Sequence, residues 1–190
     1  RQAEDGKVIA IIRPRFGTYE AGQVIAIDVN NFVENTQQLA TSFSSLGPAQ
    51  NAVSINDVNT EPGSSLGGRY ASAFPLWDGT SRVLVSWAPC LGYNENNQSQ
   101  FCSVPGVDQS RQPTPEYGIW IYNRNEDTQR PVVLSQSGFW FTDVVAAQER
   151  ISPRIIFDSI NELSAYPDLA ANGWGILSVR SIYDAVSYTH

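Results

Sequence analysis

Tyr70-Ala71-Ser72-Ala73-Phe74-Pro75-Leu76-Trp77-Asp78-Gly79-Thr80-Ser81-Arg82-Val83-Leu84-Val85-Ser86-Trp87-Ala88 is the stretch whose reading decides the fold. Tyr70 to Leu76 has strand character. Trp77-Asp78-Gly79-Thr80 is a turn, because Asp-Gly supplies the positive φ that tight hairpins need. Arg82 to Ala88 is the returning strand, with Val83, Val85 and Trp87 on one face. Tyr117-Gly118-Ile119-Trp120-Ile121-Tyr122 is a third strand, so apolar that burial on both faces is expected. Asn123 to Gln129 is a polar turn. Arg130-Pro131-Val132-Val133-Leu134 is a shorter fourth strand, placed at an edge by its proline.

Outward from this block, Val8–Ile12 and Val24–Val29 flank a turn carrying Gly17 and Gly22 and suit neighbouring antiparallel strands. Asn35 to Gly68 is polar and rich in Ser, Asn, Gly and Pro, with one strand candidate, Ala52–Val58. Beyond Leu134 lies an aromatic cluster, Phe139-Trp140-Phe141. Thr142–Arg150 is one turn of helix or an extended linker. Ile155–Phe157 is a short strand candidate, 158–169 holds a short helix, and Ile176–Tyr183 is a final strand. The expected class is mostly all-β. Residues 1–140 form antiparallel four-stranded, propeller-like sheets, about one and a half blades, and residues 141–190 form an exit linker and a short mixed C-terminal element. Strand character close to both ends, and the absence of Met, read as a segment of a longer protein.

Composition narrows the function. Twelve Lys and Arg against nineteen Asp and Glu give a formal charge of -7, which argues against a nucleic-acid surface. The single His, His190, leaves no histidine for a Ser-His-Asp triad inside the chain and removes most zinc and haem ligation. No apolar run approaches the ~18 residues that cross a bilayer. Cys90 and Cys102 bracket the polar loop 91–101. They lack the spacing and the neighbouring His of a metal site, and a disulfide fits them better than two free thiols. A paired Cys, few Lys and abundant Asn, Gln and Ser point to an exported chain, periplasmic or extracellular. Asn97-Gln98-Ser99 is a glycosylation sequon on the same loop.

Candidate binding residues each carry a structural alternative. Asn123, Asn125 and Asp127 alternate as calcium ligands do, and equally as turn formers do. Asn56, Asp57, Asn59 and Glu61 form a second oxygen-rich group. Asp143 and Asp158 are a catalytic carboxylate pair only if the fold brings them together. Trp77, Trp87, Trp120, Trp140 and Trp174 serve as core or as a saccharide platform, and Trp77, beside a turn, is the best candidate for ligand contact. Arg13 and Arg15 are cations for local ion pairs or for an anion.

The 70–89 stretch, followed by the Tyr117–Tyr122 strand, resembles a blade of the bacterial WD40-like, TolB-type propellers. More narrowly, it is similar to the propeller proteins related to the hydrazine synthase alpha subunit. The resemblance implies an exported, non-catalytic binding or assembly segment whose partners are the rest of its own chain or other subunits. The haem motif CxxCH of that subunit is absent, since no His follows either Cys, and no catalytic residue carries over. The alternatives are a secreted β-sandwich that binds carbohydrate or calcium, and a self-associating envelope or filament protein.

Overall fold

A computed structural model describes residues 1–40, 47–149, 168 and 171–173. The chain divides into two compact units, Arg1–Arg150 and Ile151–His190. The candidates Asp158 and Trp174, the Ile155–Phe157 and Ile176–Tyr183 strands, and the 158–169 helix apart from Asp168 lie outside the described residues.

Among the described residues the first unit is β throughout. Its strands are β1 Val8–Ile12, β2 Gln23–Ile27, β3 Gln50–Ala52, β4 Arg69–Pro75, β5 Arg82–Ala88, β6 Leu91–Tyr93, β7 Ser99–Phe101, β8 Gly118–Asn123 and β9 Thr128–Val133. They make three antiparallel sheets, ordered β1-β2-β3, β4-β5-β8-β9 and β6-β7. The 70–134 block is therefore a four-stranded meander, with Val83 opposite Tyr122 and Val85 opposite Trp120. Gly79 takes the positive φ of its turn, and Asp78 secures that turn through the Thr80 amide and Arg82.

The strand expected within Ala52–Val58 sits earlier, at Gln50–Ala52. The Val53 amide still reaches the Val24 carbonyl, but Val53 and Ser54 then turn inward and leave the ladder. Thr142–Arg150 takes the extended of its two expected forms through residue 149.

Period-two alternation explains the core. Ile9, Val24, Ala26 and Val53 of the first sheet and its flank pack against Tyr70, Val83, Val85 and Tyr122 of the second. β4 is the strand that approaches β1 and β2. There Gly22 and Tyr70 exchange two backbone hydrogen bonds of 2.9 Å, fastening one sheet to the other at a corner. A Cβ on Gly22 would lie 1.9 Å from the Ile12 carbonyl oxygen, so the approach needs glycine. Gly22→Ala is expected to destabilise the unit by about 3 kcal/mol, because backbone rather than a side-chain end must yield. Urea unfolding measures this, and a loss under about 0.5 kcal/mol would place the joint elsewhere.

The Tyr117–Tyr122 strand is not buried on both faces. Gly118 and Tyr122 are buried on the core face, whereas on the opposite face Tyr117 is buried but Ile119 and Ile121 are half-covered. Residues 141–148 cross that outer face obliquely. The Phe141 amide meets the Tyr117 carbonyl, the Ser86 hydroxyl donates to the Phe141 carbonyl, and the Val144 amide donates to Ser72 Oγ. The Trp77 amide donates to Gln148 Oε1. This strap passes over the start of β8, β5 and β4 and leaves the rest of β8 half-open.

Candidate functional site

At the end of the meander where β4 and β8 begin and β5 ends, Thr18, Tyr19, Ser65, Arg69, Pro113 and Tyr117 help to line a cavity of about 40 Å³. That is room for about three waters. Arg69 opens β4 and is only 9% exposed. Its Nε donates to the Asn59 carbonyl, and its Nη2 donates to the carbonyls of Glu61 and Gly63, at 2.7–3.1 Å. The 59–63 loop thus wraps a guanidinium. Arg69 pairs with no carboxylate among the described residues, and Nη1 meets no protein acceptor there. Burial lowers the Arg69 pKa from its ordinary value, and the nearby Tyr117 hydroxyl acts in the opposite direction.

Thr18 lies on the same wall, 2% exposed, and its Oγ1 has no hydrogen-bond partner. A buried polar atom left without a partner costs about 1–3 kcal/mol. Beside the cavity, Tyr19 and Trp140 are 51% and 48% exposed, and their rings meet edge to face with centroids 6.1 Å apart. Tyr117 meets Trp140 in the same way at 5.9 Å. Tyr19 and Trp140 also line an adjoining depression of about 570 Å³, together with Arg13, Glu20, Ala71 and Thr142.

The residues singled out from sequence fall elsewhere, with few exceptions. Asn123, Asn125 and Asp127 shape the β8–β9 turn. Asn123 Oδ1 accepts the Asn125 amide, and Asp127 Oδ1 accepts the Tyr122 hydroxyl. Asn59 and Glu61 give their carbonyls to Arg69, while the Asn56 side-chain amide donates to Tyr70 Oη. Among the described residues no three of His, Cys, Asp and Glu gather around a common point. The Trp77 indole donates to the Gln2 carbonyl and is half-buried. Trp87 and Trp120 pack on the core, edge to face at 5.1 Å. Asp143 pairs with Arg1 at 3.2 Å, and Arg13 pairs with Glu20 at 3.8 Å. Cys90 and Cys102 form a disulfide, with Cα atoms 5.4 Å apart, that closes the β6–β7 hairpin. Asn97 stands exposed at the tip of that hairpin, with Oδ1 accepting a bond from Arg111. No helix of the described residues is long and apolar enough to cross a membrane.

Neither Thr18 nor Arg69 stands out in the sequence. A lone Thr in a Gly-rich turn and a lone Arg before an apolar strand carry no pattern. The nearest available signal was an Arg followed directly by a buried strand, with no acid close by in sequence.

Burial pushes the Tyr117 and Tyr122 hydroxyls up to about 12, and raises Tyr70 as well. These groups are neutral when folded and ionise near pH 10 when unfolded. The stability they contribute is therefore full below about pH 10 and is lost as pH rises from about 10 to 12. Urea unfolding across that range should show stability falling steadily, with tyrosinate absorbance lagging that of the unfolded chain. A flat profile would mean that these rings are solvated.

Comparison with protein-family models, with curated proteins and with solved structures finds no significant match for this chain.

Proposed function

We propose that the chain is a non-catalytic binding or assembly segment of a larger, exported β-propeller-type protein. One observation carries the reading. Two antiparallel sheets stack face to face and come closest at β4, the first strand of the meander, as neighbouring blades do near their axis. The half-open face bearing Leu84, Ile119 and Ile121 is then the surface for the next sheet, and the partner is another part of the same chain or another subunit. The Cys90–Cys102 disulfide and the low Lys content support an oxidising compartment outside the cytoplasm.

A two-layer sandwich is the second reading. It is favoured by the 141–148 strap, which occupies part of the face where a following blade would pack. An experimental structure of the natural protein that contains this sequence separates the two. A further sheet against Ile119 and Ile121 supports the propeller segment. Those side chains facing solvent or a loop would favour the sandwich.

A further inference from the structure

We propose that the Arg69 cavity and the adjoining Tyr19–Trp140 depression form one binding site for an acidic saccharide, a sugar of the uronic-acid class. The sugar's carboxylate enters the cavity and its ring lies against the exposed aromatic side chains. The site stands on this geometry alone and holds whichever architecture the sheets belong to.

The cavity has donors in excess. Three of the Arg69 donor contacts go to neutral carbonyls, so the charge itself is uncompensated, and Nη1 is unpartnered among the described residues. No Asp or Glu lines the cavity. A carboxylate suits this set. It brings the missing charge, accepts from the guanidinium, and occupies about the volume of the waters that fit there. A neutral sugar hydroxyl would leave the charge unbalanced.

What carries the carboxylate follows from the mouth. Tyr19 lines both the cavity and the depression. It and Trp140 present half-exposed rings, and the depression, at about 570 Å³, has the volume of small-molecule sites. Rings of this kind stack on the C–H face of a sugar, and Arg13 and Glu20, already paired with each other, line the rim as hydroxyl partners.

The test is titration of the 190-residue chain with trigalacturonate, maltotriose and acetate, followed by calorimetry and tryptophan fluorescence. Trigalacturonate should bind at least tenfold more tightly than either of the others, and acetate should compete with it. Arg69→Gln removes the charge. It should weaken trigalacturonate and acetate alike, at least tenfold, the worth of a hydrogen bond to a charged group. Trp140→Ala should weaken trigalacturonate and leave acetate unchanged, and this split carries the test should Arg69→Gln unfold. The proposal is overturned by maltotriose binding as tightly as trigalacturonate, by acetate binding as tightly, by unaltered affinity in a folded Arg69→Gln, or by no binding at all. Tighter binding of a short peptide through its terminal carboxylate would overturn the saccharide assignment.

Discussion

Replacing Tyr122 by alanine is expected to destabilise the first unit by about 3–5 kcal/mol, the usual range for a large buried ring. Tyr122 is 1% exposed and sits where the two sheets meet, among Ile9, Val24, Val83 and Val85. Its hydroxyl accepts the Ile55 amide at 3.1 Å and donates to Asp127 Oδ1 at 2.8 Å. The ring therefore fills the core while its polar end ties the 53–56 segment to the β8–β9 turn. Tyr122→Phe separates these roles, because it keeps the ring and removes both hydrogen bonds of the hydroxyl, at a cost of about 1 kcal/mol. Domains of ordinary size have only about 5–15 kcal/mol of stability, so the alanine variant should lose a large share of it. Urea unfolding of the three proteins measures both differences. An alanine cost below about 1 kcal/mol would mean that the ring does not lie between the sheets.

Reducing the Cys90–Cys102 bond is the second large perturbation. The cysteines are 12 residues apart in sequence, and closing a loop of that size restricts the unfolded chain by about 3 kcal/mol. The β6–β7 hairpin has an exposed outer strand and adds little to the core, so its order depends on that closure. A reductant should lower Tm by roughly 6–12 °C for a unit of this size. The double variant Cys90→Ala with Cys102→Ala should melt at the reduced temperature and ignore the reductant. A Tm that no reductant moves would mean that the bond constrains nothing beyond its own hairpin.

How far the fold was legible depends on whether a segment carries its own signal. The meander was legible because β5 alternates Val83, Val85 and Trp87 inward, and because Asp78-Gly79 forces the chain back. β3 was misplaced because Gln50-Asn51-Ala52 is exposed along its length and carries no apolar period. It exists as a strand through the bonds that β2 offers. Ile119 and Ile121 look fully buried from composition, yet what covers their face is set by where residues 141–148 happen to run, and no local pattern encodes that.

The candidate site was less legible still. The side-chain oxygens of the Asn56–Glu61 group resemble a cation loop in sequence, but what the fold uses are the backbone carbonyls of Asn59 and Glu61, which accept from the Arg69 guanidinium at the head of β4. Trp77 stands beside a turn, which marks an exposed ring in sequence, and the N-terminal segment then folds back onto its indole. Trp140 stayed open instead. Such differences come from long-range contacts, while strand identity comes from short-range ones.

A four-stranded meander stacks on the β1-β2-β3 sheet and joins it at Gly22 and Tyr70, and inter-strand backbone NOEs in the isotope-labelled chain read this arrangement out. They should place Val83 opposite Tyr122, Val85 opposite Trp120 and Trp87 opposite Gly118, together with a contact between Gly22 and Tyr70. Helical NOEs within 118–123, a register displaced by one residue, or β8 paired with any strand other than β5 and β9 would contradict it.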